Sequence, residues 1–183
     1  GNPSYDVPGI GITGTSGKTT TSYLIESAFR TAGHSVGMIG TTGSRINGVR
    51  VPSSLTTPEA PDLQRLFATM RDDGVHRIVM EVSSHSLLLG RVGGTRFRIG
   101  AFLNLSQDHL DFHHTMEEYF QAKARLFTKD SGTCCDRAVI CIDDSWGLRM
   151  RDIAEAAGCT PVTVSTTGNA DNSAGPSRIA DDG

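Results

Sequence analysis

The run Gly14-Thr15-Ser16-Gly17-Lys18-Thr19-Thr20 carries the densest chemistry in the chain. Two glycines, a lysine and several hydroxyls stand where a short apolar run gives way to a helical pattern. Such a turn cradles phosphate, because N–H groups of the loop and helix start point at the anion and the helix dipole adds to the attraction. Glycine is needed where the backbone takes positive φ or approaches the anion with no Cβ in the way. Lys18 is placed to contact β- and γ-phosphates, and the Thr19 hydroxyl to reach Mg²⁺. The spacing departs from the common G-x-x-x-x-G-K-[ST] pattern, which wants glycine at Ile12; Gly14 stands closer. The competing reading is a chance Gly-Lys-Thr at a helix start.

Two further groups fall at the same predicted sheet edge. Glu81 closes the apolar run Ile78–Val82, at the carboxyl end where open α/β sheets bind ligands. A carboxylate there is costly to bury unless it holds a cation or a partner. Asp108-His109-Leu110-Asp111-Phe112-His113 follows the next strand and offers acidic and imidazole ligands for Mg²⁺ or water. Taken alone, DHLDFH reads equally as a solvated loop or a helix cap. Lys123 shares a helix face with Phe120, Leu126 and Phe127. Desolvation there lowers the amine's pKa and favours the form that CO₂ attacks, giving an anionic carbamate suited to Mg²⁺. The alternative is a lysine that snorkels to water.

The elements that must position these groups follow from periodicity. Ile10–Thr13 reads as a buried strand, followed by a helix to about Arg30 that ends at Gly33. Val36–Ile39 is a second strand, and Ser44–Val51 alternates about Asn47-Gly48, a hairpin signal. A helix near Pro61 sets Leu63, Leu66, Phe67 and Met70 on one face. Ile78–Val82 is apolar on consecutive residues, as in a parallel strand covered on both sides. Ile99–Leu105 is a strand, Met116–Phe127 a helix burying Tyr119, Phe120, the Lys123 stem, Leu126 and Phe127. Ala138–Ile142 is a strand, Trp146–Ala157 a helix, and Pro161–Val164 a last strand. The alternation predicts an α/β, doubly wound, mostly parallel sheet flanked by helices.

Residues 1–164 are expected to form one domain, and the polar stretch 165–183 a loop or disordered tail. The length of 183 residues suits one domain with a core. A net charge of −3 argues against a general nucleic-acid binder. No stretch approaches the ~20 apolar residues of a membrane span, so no membrane insertion is expected. Cys134, Cys135, Cys141 and Cys159 lack paired C-x-x-C spacing and read as reduced thiols of a cytoplasmic protein.

TGTSGKTTT resembles the nucleotide loop of Mur ligases and folylpolyglutamate synthases. VMEVSSHSL, NLSQDHLDFH and QAKARLF, in that order and spacing, are similar to the central ATP-binding domain of the MurE ligases over roughly Ile10 to Val164. The resemblance implies that Glu81 binds Mg²⁺ with help from Thr19. It also implies that His109 binds a second Mg²⁺, whose site Lys123 completes as a carbamate. Thr56, Thr57, Ser83 and Arg91 carry over as contacts to a UDP-N-acetylmuramoyl dipeptide, while Leu55 and Leu89 stand where many relatives have Asn and Gln. A helix N-cap is the other reading of Thr56-Thr57, and a solvated charge that of Arg91.

The implied activity is ATP-dependent addition of a diamino acid, with meso-diaminopimelate expected over lysine, in cytoplasmic peptidoglycan synthesis. Folylpolyglutamate synthesis is the nearest rival, disfavoured by TTPE and EVSSH together. A nucleotide-binding module without catalysis is the rival of another class. The domain is expected to be incomplete at its C-terminal side, and the 183 residues inactive by themselves.

Overall fold

The computed structural model describes residues 2–51, 58–166 and 168. Strands β1 (Gly9–Thr13), β2 (Val36–Gly40), β3 (Gly43–Ile46), β4 (Val49–Val51), β5 (Arg77–Glu81), β6 (Arg96–Phe102), β7 (Cys134–Cys141) and β8 (Thr160–Val164) form one sheet. Its order is β4-β3-β2-β5-β1-β6-β7-β8. The β2-β5-β1-β6-β7-β8 ladder is parallel throughout, and the β3–β4 hairpin adds an antiparallel edge. Asn47 and Gly48 turn that hairpin at φ 52° and 82°, the left-handed pair that Asn-Gly supplies.

Helices cover both faces, as a sheet with apolar residues on consecutive positions requires. Within β5, Val79 packs with Ile12, Val36 and Ala101 beneath Ile25 and Phe29 of α1 (Lys18–Thr31). Ile78 and Met80 turn the other way. They join the larger core with Leu63, Phe67 and Met70 of α2 (Ala60–Asp72). Two short helices follow, α3 (Ser84–Leu88) and α4 (Leu110–His113). Beyond them α5 (Met116–Ala124) and α6 (Ser145–Ala156) complete this layer, burying Tyr119, Phe120, Met150 and Ala154. Side-chain caps start three of these helices. Ser83 accepts from Ser86 N, Thr115 from Glu118 N and Asp144 from Gly147 N.

Two differences from the sequence-based expectation concern the site. Ser84–Leu88 and Leu110–His113, to which periodicity assigns no element, are helical, being too short to show a 3.6-residue period. The strand expected over Ile99–Leu105 begins at Arg96 and stops at Phe102, because Leu103–Ser106 leave the ladder to hold another loop. Thr56, Thr57 and Leu55 lie outside the described residues, as does all of 165–183 save Ser165, Thr166 and Gly168. Cys135, Cys141 and Cys159 carry free thiols.

Candidate nucleotide and metal site

The first turn of α1 is where the sheet's central strand delivers the chain. Gly17 occupies the N-cap position at φ 84°, a left-handed geometry that a side chain resists. No side chain caps this helix, and its first internal bond is Thr21 N to Gly17 O at 2.9 Å. The N–H groups of Lys18, Thr19 and Thr20 thus open the helix without side-chain acceptors, as an anion cradle requires.

The loop before the helix is fixed from β6. Asn104 Oδ1 accepts from Thr15 N at 3.1 Å and Ser16 N at 3.0 Å, and Asn104 Nδ2 donates to Ser16 O at 3.2 Å. The Thr15 hydroxyl donates to Ser106 O and accepts from Ser106 N. Lys18 curls over the loop, its Nζ donating to Gly14 O at 2.8 Å and Thr15 O at 2.9 Å. Burial lowers its pKa, while Glu81 and Asp108 pull the other way.

Glu81 ends β5 and is buried, 6% exposed. Its Oε2 accepts from the Thr19 hydroxyl at 2.8 Å, and its Oε1 from Thr41 N at 3.2 Å and the Thr41 hydroxyl at 3.3 Å. A Cβ at Gly40 would collide with Glu81 Oε1, so the end of β2 must be glycine for the carboxylate to lie there. Among the described residues no cationic side chain lies within ion-pair distance of Glu81. A desolvated carboxylate with a hydroxyl beside it and a helix start adjoining suits Mg²⁺, which keeps waters and substrate phosphates in its shell. Among the described residues no three His, Cys, Asp or Glu converge.

Lys123 does not snorkel. It is 1% exposed, and its Nζ donates to Gly14 O at 2.8 Å, the carbonyl that Lys18 also uses. Burial first, then the Lys18 charge, depresses its pKa to about 7, with Asp108 opposing. Near neutrality a large share of this side chain is the free amine, the form that reacts with CO₂.

His109 sits at φ 53°, uncommon for a residue with a side chain. Its ring stands edge-on to His85 at 5.2 Å and to Tyr119 at 5.9 Å. His113 Nε2 meets Ser84 Oγ at 2.8 Å, and His85 stacks on Phe112 at 4.0 Å, locking α4 onto α3. Burial lowers the pKa of both His85 and His113, with neighbouring cationic groups adding to the effect.

A Mur ligase middle-domain model matches residues 12–181. The chain belongs to the Mur ligase family. It is 59% identical over 184 residues to the UDP-N-acetylmuramoyl-L-alanyl-D-glutamate–2,6-diaminopimelate ligase of Corynebacterium glutamicum, covering 100% of this chain and 35% of that protein. To the Streptomyces coelicolor ligase of the same name it is 51% identical over 171 residues, or 93% and 32% of the two chains. A solved structure of a ligase with this name superposes with a TM-score of 0.81 at 38% identity, over 90% of this chain and 33% of that one. The chain spans about a third of the length of the curated relatives it matches. Thermotoga maritima folylpolyglutamate synthase shares the fold, with a TM-score of 0.64 at 14% identity.

In this Mur ligase domain the predicted residues fall in two groups. Gly14, Thr15, Ser16, Gly17, Lys18, Thr19 and Thr20 lie together with Glu81 and Lys123, joined by the hydrogen bonds above. His109 and Lys123 both lie against Tyr119, whose ring is 5.9 Å from the His109 ring and 4.3 Å from Lys123 Nζ. Ser83 caps α3, accepting from Ser86 N at 3.1 Å, and Arg91 Nε lies 3.1 Å from Glu59 Oε1. Sequence reasoning missed Asn104 and Thr41. Asn104 had a signal, since a polar residue just past a strand's carboxyl end faces the ligand edge. Thr41 had none, because its role depends on how β2 lies beside β5.

Proposed function

We propose that this domain binds Mg²⁺ and ATP for a cytoplasmic ligase that adds meso-diaminopimelate to UDP-N-acetylmuramoyl-L-alanyl-D-glutamate in peptidoglycan synthesis. The observation that carries the reading is one cluster: an uncapped helix start, Lys18 over the loop, Thr19 on Glu81, and Lys123 buried on the loop carbonyl. The relatives' names supply the substrates. Residues 1–164 are taken as the packed part of the domain and 165–183 as its tail.

In the proposed reaction the D-glutamate γ-carboxylate attacks the γ-phosphorus of ATP, forming an acyl phosphate and releasing ADP. The diaminopimelate amine then attacks the acyl carbon through a tetrahedral intermediate, loses a proton and expels phosphate. Lys18 and the N–H groups of Lys18–Thr20 hold the β- and γ-phosphates in line. Thr19 and Glu81 would hold one Mg²⁺, and His109 with Lys123 as carbamate a second. These ions supply neutralisation of phosphate charge. The Lys123 amine would add to CO₂, forming the carbamate and releasing one proton. Thr56, Thr57, Ser83 and Arg91 are assigned to the muramoyl dipeptide. The test is ADP release by the full-length protein, which should require the muramoyl dipeptide; release without it contradicts the assignment.

A further inference from the structure

Tyr119 lies against both residues assigned to the second ion, and no step above uses it. It lies in α5 one turn before Lys123 and is 1% exposed. Its ring face lies 4.3 Å from Lys123 Nζ. The same ring meets the His109 ring edge at 5.9 Å and packs against His113 at 4.9 Å.

A lysine side chain has four torsions to freeze, whereas a buried tyrosine ring has two and is held by its packing. Lys123 Nζ has Gly14 O as its one hydrogen-bond acceptor among the described residues, so that bond alone does not fix the stem. The ring lies over the amine and meets the His109 ring, so one rigid group contacts both residues.

We propose that Tyr119 is a positioning residue: its ring holds Lys123 and His109 in register. This rests on the reading of Lys123 as a carbamate and His109 as a metal ligand. The ring, and not the hydroxyl, then governs how fully Lys123 carries the carbamate.

The test uses the full-length protein with Tyr119→Phe and Tyr119→Leu, each checked for native far-ultraviolet circular dichroism. Carbamate occupancy is read by ¹³C NMR in ¹³C-bicarbonate. Tyr119→Phe, which keeps the ring, should keep wild-type carbamate occupancy. Tyr119→Leu should lose carbamate signal and kcat by roughly 10- to 100-fold, the range seen when a ligand's supporting residue is removed. A folded Leu variant with wild-type occupancy overturns the proposal, as does a Phe variant that loses as much carbamate as Leu. Wild-type protein with no ¹³C signal overturns it together with the carbamate reading. Wild-type protein that shows the signal but forms no muramoyl tripeptide sinks only the ligase reading, and the comparison of variants still decides the role of Tyr119.

Discussion

Lys123 is the residue whose energetics are most exposed to measurement. An unfolded lysine titrates near 10.5 and this one near 7, so between those values the unfolded chain binds more protons than the folded one. Stability must therefore rise with pH from 7 to 10.5, and the whole penalty is present below 7. Lys123→Met in CO₂-free buffer should raise stability by a few kcal/mol at pH 6, at about 1.4 kcal/mol per pKa unit. That gain should shrink toward zero by pH 10.5. Denaturant titrations at several pH values check this, and a pH-independent gain would contradict it. Lys18 is a different case, because it is half-buried at the start of α1 and, among the described residues, its hydrogen bonds go only to loop carbonyls. Lys18→Ala should leave the melting temperature within a few degrees and abolish ATP binding measurable by calorimetry. Unaltered affinity in the folded variant would remove Lys18 from the site.

At the scale of elements, the start of α1 and the start of α6 make a contrast. Asp144 caps α6 by accepting from Gly147 N at 2.9 Å, far from the phosphate loop in sequence and function. Asp144→Ala should cost about 1 kcal/mol of stability and leave ATP affinity unchanged. Gly17 holds a left-handed N-cap, where a Cβ costs roughly 1–2 kcal/mol and tilts the N–H groups behind it. Gly17→Ala should therefore lose both stability and ATP affinity, as melting curves and calorimetry on the two variants would show. The same contrast explains what was legible in the sequence. Strand β1, the loop and α1 announce themselves because glycine, lysine and apolar periodicity agree locally. The hairpin is legible in Asn47-Gly48, whereas the apolar neighbours of Lys123 fit a snorkelling stem as well as a buried amine. Helices α3 and α4 are not legible, because four or five residues complete hardly more than one turn. Nor is Thr41 legible, since its contact to Glu81 comes from strands 40 residues apart, or the way Leu103–Ser106 leave β6 to brace the loop.

At the scale of the whole molecule, the proposed reaction asks for more than a bound nucleotide. Holding phosphates takes a loop and a helix start, but ligation aligns three substrates and excludes water from them. The 183 residues amount to about a third of the relatives' length. By themselves they should bind MgATP weakly and release no ADP on addition of muramoyl dipeptide, diamino acid and Mg²⁺; turnover by this chain alone would require a self-sufficient domain. Strand β8 adds a physical hazard to such work, since it is the last strand of the described sheet and exposes Val162 and Val164, favouring edge-to-edge association. The central claim is tested most directly by one measurement on the full-length protein: mass-resolved product formation coupled to ADP release, with ATP, Mg²⁺, UDP-N-acetylmuramoyl-L-alanyl-D-glutamate and either meso-diaminopimelate or L-lysine. The account predicts the diaminopimelate tripeptide with one ADP per product, and little product with lysine. Glutamylated folate formed in its place, or ADP release indifferent to the muramoyl dipeptide, would contradict it.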